Sequence, residues 1–195
     1  ANFESFINQF LVKDVDFRMG ITTTDGTSTK NGKMVGDSSK LTSAAALANK
    51  SQFLSNFRTW VKVGTKGSGK EQGLQTSENF INRYEASFLR KDAVLAVVYL
   101  TDEEDSSPKT VQSYLNSLQA TKENKAHVKA YSIITVKEKA NREETWGSRY
   151  EEISKLTAGV VSDIKKDFSS TLLNIGEEIV TLLDSFALNE SPYQD

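Results

Sequence analysis

The stretch Ala93-Val-Leu-Ala-Val-Val-Tyr-Leu100 constrains the fold of this chain more than any other. It is apolar almost throughout and is followed at once by the acidic run Thr101-Asp-Glu-Glu-Asp105. It is far too short to cross a bilayer, which takes about 20 residues. A short, uninterrupted apolar run predicts a strand buried on both faces. Burial on both faces belongs to a parallel sheet held between layers of helices.

The rest of the sequence fits that architecture. Phe3, Phe6, Ile7, Phe10 and Leu11 recur at helical spacing, which predicts a helix over residues 2–11. Val15, Phe17, Met19 and Ile21 alternate with Asp16, Arg18 and Gly20, which predicts a strand running into Thr22–Thr24. Asp25-Gly26 and Asn31-Gly32 are turn dipeptides, so residues 25–39 read as a loop or long hairpin. Helices are expected with Phe53, Leu54, Phe57, Trp60 and Val61 on one stripe, over Glu71–Leu89, and from Pro108 to about Ala120. Val128–Val136 and Gly159–Ile164 read as further strands, Glu143–Leu156 and Phe168–Leu183 as helices. Strands alternating with helices predict an α/β fold: a doubly wound, mostly parallel sheet flanked by helices in three layers. One domain is expected over residues 1–186, with 187–195 a tail or linker.

Composition removes several classes of function. The chain has 195 residues, enough for one domain whose core hides roughly 70% of the unfolded surface. Its 24 basic and 26 acidic residues leave a net charge of −2, with no positive excess to recruit nucleic acid or an anionic membrane. Cysteine is absent, which excludes disulfides, thiolate metal sites and a cysteine nucleophile. The single histidine, His127, cannot build a histidine-rich metal site and is expected at the surface. No transmembrane segment, signal peptide or initiator Met is present, and the chain reads as a processed or excised piece of something longer.

Sites in open α/β sheets form at the carboxyl ends of the strands. Two loops fit that position: the glycine-rich Gly64-Thr-Lys-Gly-Ser-Gly-Lys-Glu-Gln-Gly-Leu74, and Thr101–Ser107 after the buried strand. In these loops the chain resembles the von Willebrand factor A (VWA) family. Leu100-Thr101-Asp102 is similar to the family's strand-ending Thr-Asp, although Glu103 stands where glycine is common. Ser68 lies five residues before Gly73-Leu74, where the family places a threonine.

The resemblance implies a metal-ion-dependent adhesion site, with Ser68 and Asp102 as metal-site residues and Mg²⁺, or Mn²⁺ or Ca²⁺, as the ion. It implies a protein-binding or cell-adhesion module rather than an enzyme, closing the metal shell with a carboxylate of a protein ligand. It is closest to VWA domains of bacterial surface or periplasmic proteins, which implies an extracytoplasmic location. The family's Asp-x-Ser-x-Ser loop, which precedes the first helix, occurs nowhere in this chain. The ion is therefore expected only if that loop is present upstream; with Ser68 and Asp102 alone, metal binding is expected to be weak or nil. A structural VWA-like domain with a degenerate metal site is the milder form of this reading. The family's first strand, between the strands that here are Val15–Thr24 and Ala93–Leu100, is missing too. We expect it from upstream or from another chain, and direct pairing of those two strands would contradict the resemblance.

A second pattern competes. Gly64-x-x-x-x-Gly69-Lys70 matches most of a phosphate-binding loop, which would make the chain a P-loop nucleotide-binding enzyme. That motif needs Ser or Thr after the lysine to hold Mg²⁺, and this chain has Glu71. The remaining candidates read as structural. Asp25 is a turn residue, Trp60 and Trp146 pack, Lys70 and Lys91 are solvated, and Glu103–Asp105 form a solvated acidic loop.

Overall fold

The computed structural model describes residues 2–27, 29–64, 67–141 and 143–190. It is an α/β fold in which helices flank a parallel sheet of three strands, β1 (Leu95–Thr101), β2 (Val128–Ile134) and β3 (Val161–Asp163), in that spatial order. Leu95 aligns with Val128 and Thr101 with Ile134, so β1 and β2 pair along their whole length. The helices are α1 (Asn2–Val12), α2 (Ser43–Ala48), α3 (Lys50–Trp60), α4 (Gly73–Phe88), α5 (Val111–Ala120), α6 (Ser148–Leu156) and α7 (Phe168–Glu190).

Two apolar clusters mark the two faces of the sheet. Phe6, Ile7 and Phe10 of α1 and Leu172, Ile175 and Ile179 of α7 bury against Tyr131 and Ile133 of β2. Leu74, Phe80 and Ile81 of α4, Tyr114 and Leu118 of α5, and Tyr150 and Ile153 of α6 bury against Leu95, Tyr99, Ala130 and Ile134 on the other face. Alternate residues of a strand point to opposite faces, so each strand feeds both cores. β2 sits between two strands and is buried at every position but one; it is the two-face strand of the sheet.

β1 departs from expectation. Val98 and Leu100 remain 42% and 43% exposed, because β1 is the edge of the three-stranded sheet and its α1-side face is only partly covered. The strand predicted at Val15–Thr24 does not join this sheet. The segment is extended, but its backbone bonds run to residues 35–43: Met19 N–H to the Leu41 carbonyl, Ser43 N–H to Phe17, and Val35 N–H to Ile21. Only isolated bridges result, Arg18 with Thr42 and Asp25 with Glu71. Among the described residues it makes no ladder with β1, so the two segments expected to flank the missing strand are not paired directly.

Several boundaries move for identifiable reasons. The helix expected from Pro108 begins at Val111, because the Thr110 hydroxyl accepts the Ser113 N–H and caps it there. The helical stripe of Phe53, Leu54, Phe57 and Trp60 forms α3, which a short helix α2 precedes; Asn49 leaves α2 and caps α3 by accepting the Gln52 N–H. The helix expected from Glu143 starts at Ser148. The expected tail at 187–195 is helical through Glu190, and 191–195 lie outside the described residues.

Candidate functional site at the carboxyl end of the sheet

The two loops singled out in the sequence meet beyond the carboxyl end of β1, and their junction is a carboxylate. Glu71 follows the glycine-rich loop and carries a half-buried side chain that accepts a hydrogen bond from Thr101 Oγ1, at the last position of β1. Its main chain is held as well: Ser106 N–H donates to the Glu71 carbonyl at 2.7 Å, and Asp25 forms a backbone bridge with it. Burial pushes the Glu71 carboxyl above its ordinary range, hydrogen bonds from Thr101 and Thr24 oppose this, and the charges of Glu103 and Asp102 push it further up.

Ser68 lies three residues before Glu71 and Asp102 one residue after Thr101. Ser68 is exposed, and its Oγ accepts the Lys70 N–H at 3.2 Å. Asp102 is exposed too; its carbonyl accepts the Thr145 N–H at 3.1 Å, and its carboxylate is close enough to Glu71 to act on it electrostatically. The glycine-rich loop passes over Asp25, since a Cβ at Gly67 would sit 3.4 Å from Asp25 Oδ2. Residues 65 and 66 of that loop lie outside the described residues. The junction thus gathers the hydroxyls and carboxylates of Thr24, Asp25, Glu71, Thr101 and Asp102, with Ser68 three residues from Glu71 along the chain. Sequence reasoning singled out two of these. The others carried one weak signal, the placing of Glu71 between a glycine-rich loop and a helix.

The acidic loop is not the solvated run that the sequence suggested. Asp105 is fully buried at its side chain. Its carboxylate accepts the Leu74 N–H at 3.2 Å and both the N–H and hydroxyl of Ser107, with an Arg149 nitrogen 3.3 Å away. Glu104 accepts the N–H groups of Ser148 and Arg149 at 3.0 and 3.1 Å. Neither α4 nor α6 has a capping side chain at its own N-cap, so these two carboxylates supply the acceptors that the first turns lack. Tyr150 Oη accepts the Gly73 N–H and Ser107 Oγ the Gln75 N–H, both at 3.0 Å, which completes the first turn of α4. Of the acidic run, Asp102 and Glu103 are therefore left near Glu71, while Glu104 and Asp105 serve helix ends.

Of the remaining expectations one changes and two hold with additions. His127 is buried rather than at the surface. Asp25 is a turn residue, accepting the Thr27 N–H at 2.9 Å, but it is buried and ion-paired with Lys30 at 3.2 Å. Trp146 packs under Lys137 and donates its indole N–H to Glu151 at 2.7 Å. Lys70 and Lys91 are exposed, as expected.

Fold and site together define an α/β module with a parallel sheet, helices on both faces and an oxygen-rich, acidic carboxyl end. Compared with protein-family models, curated proteins and solved structures, the chain matches none.

Proposed function

We propose that this chain is a protein-binding module of the VWA kind, working from the carboxyl end of its sheet rather than catalysing a reaction. The observation that carries this reading is the Glu71–Thr101 hydrogen bond, which ties the loop of Ser68 to the loop of Asp102 at a point rich in oxygen donors. Hydroxyls and carboxylates are the right chemistry for Mg²⁺, Mn²⁺ or Ca²⁺. Their number falls short: among the described residues no three His, Cys, Asp or Glu side chains converge as metal ligands. A divalent ion here needs oxygens from outside these residues, the partner's carboxylate among them. When bound, the ion would supply an electrophilic anchor for that carboxylate, with Ser68 and Asp102 on its protein side. A place in the periplasm or at the cell surface goes with this reading; no described helix is long and apolar enough to cross a membrane.

The nucleotide-binding alternative has less support. A phosphate-binding loop joins a strand to a helix. Here Gly64–Lys70 joins α3 to α4, and the residue after the lysine is engaged with Thr101.

Paramagnetic broadening by Mn²⁺ in nitrogen-15 NMR spectra tests the proposal. We expect weak binding whose broadening centres on the amides of 67–73 and 101–104 and is lost in Asp102→Ala. Broadening spread evenly over surface carboxylates, unchanged in that variant, would rule the site out.

A further inference from the structure

The near-neutral total of this chain conceals a segregation of its charge. Residues 26–70 hold eight lysines and arginines and a single acid, Asp37, although the whole chain carries −2. The fold keeps that excess together in space. Gly36 lies against Trp60 at the end of α3, where a Cβ would stand 2.1 Å from the indole. Gly67 lies against Asp25, and Asp25 is the ion-pair partner of Lys30. The loop of residues 26–37 and the stretch leading from α3 to α4 therefore share one side of the molecule. Lys33, Lys40, Arg58, Lys62 and Lys70 are exposed. Of the region's cations only Lys30 and Lys50 form salt bridges among the described residues, to Asp25 and Glu4. A positive potential results that the net charge does not report.

The same side carries apolar surface. Val61 and Val63 stand on either side of Lys62 in the chain and are 38% and 46% exposed. They belong to a stretch that stands clear of the body: at Gly64 and at Gly69 nothing lies within 4 Å of where a Cβ would be. One exposed valine is ordinary, but two among cations on a projecting stretch call for a partner that is anionic outside and apolar beneath. A nucleic acid offers phosphates and no shelter for valine. A rigid protein partner would need a hollow to receive the projection, whereas a lipid interface deforms around it. An anionic bilayer has phosphate headgroups above acyl chains, and basic surfaces with exposed apolar side chains lodge in that layer.

We propose that this side of the molecule is a membrane-surface site, with Val61 and Val63 entering the headgroup layer of an anionic bilayer and Lys33, Arg58, Lys62 and Lys70 meeting its phosphates. The site is independent of any ion at the carboxyl end of the sheet.

Co-sedimentation of the 195-residue chain with extruded vesicles, in buffer with EDTA, tests it. We expect partition onto phosphatidylcholine vesicles containing about 30% phosphatidylglycerol, none onto pure phosphatidylcholine, and a steep fall as salt is raised. Lys62→Glu/Lys70→Glu should lower the partition about tenfold or more. Val61→Ser/Val63→Ser, which leaves the charge unchanged, should lower it about fivefold. Lys91→Glu/Lys125→Glu makes the same change of net charge at the other end of α4, where the Glu123 N–H bonds to the Lys91 carbonyl. That pair should stay within about twofold of the parent. Circular dichroism checks that every variant keeps the parent fold. Absence of partition onto the anionic vesicles overturns the proposal. So does an undiminished valine pair, or a Lys91/Lys125 pair that loses as much as the Lys62/Lys70 pair. Saturable binding of polyglutamate that vesicles do not displace overturns it as well, in favour of an acidic protein.

Discussion

The Asp105 carboxylate accepts a hydrogen bond from the Leu74 N–H, 3.2 Å away and 31 residues distant in the chain. This contact joins the loop after β1 to the first turn of α4, in an interior where an unpaired N–H or carboxylate would be costly. It also fixes where α4 begins, and with it the position of Glu71 just outside that helix.

Replacing Asp105 should therefore affect the whole fold. Asp105→Ala leaves the Leu74 N–H and the Ser107 groups unsatisfied and Arg149 without its carboxylate. We expect a loss of about 3 kcal/mol or more, read from the urea midpoint at constant slope. Asp105→Asn keeps an acceptor for Leu74 and should lose less.

Tyr150 gives a smaller, cleaner measurement. Its hydroxyl accepts the buried Gly73 N–H at 3.0 Å, and its ring stacks at a tilt on Tyr99. Tyr150→Phe keeps the ring and removes the acceptor, so a loss of about 1–2 kcal/mol is expected. A neutral result in thermal melting would mean that Gly73 finds another acceptor.

Glu71 sets a pH dependence. Burial lifts its carboxyl above the ordinary value of 4.5, so the folded protein holds this proton more tightly than the unfolded chain does. The favourable contribution is complete below pH 4.5 and is lost as pH rises through the raised value. Glu71→Gln should then melt higher than the parent at pH 7, with the gap closing as pH falls through the raised value and gone below 4.5. Scanning calorimetry across that range checks the sign.

Gly159 packs against backbone. A Cβ there would lie 2.0 Å from the Ala130 carbonyl oxygen, which belongs to β2 and cannot rotate aside. Gly159→Ala should cost about 2 kcal/mol through forced displacement of the turn into β3, visible as a lower melting temperature.

What the sequence revealed followed from period and length. The apolar run at Ala93–Leu100 and the helical stripes on α1, α4 and α7 are local patterns, and they yielded the α/β architecture directly. The segment 15–24 misled because alternation reports an extended chain with one apolar face, not which neighbour it pairs with. The roles of Glu104 and Asp105 were hidden for a related reason. A cap normally stands beside the helix it serves, and these act on α6 and α4 from 30 or more residues away, as the 44-residue separation of Glu104 and Ser148 shows. At the site, Ser68 and Asp102 came from the resemblance to the VWA family, whereas Glu71 gained its place through a contact with Thr101 across 30 residues.

The packing of the first helix on the last has a consequence for biosynthesis. Gln9 Nε2 donates to the Leu173 carbonyl across 164 residues, and Phe6 and Gln9 close over Gly176. As the chain leaves the ribosome, α1 emerges with Phe6, Ile7 and Phe10 bare, and the helix that buries them is made well after it, at a separation of 164 residues between Gln9 and Leu173. The nascent chain must carry that sticky surface until α7 has been made. Chaperone demand during synthesis, and degradation of products truncated before α7, are the cellular price of the arrangement.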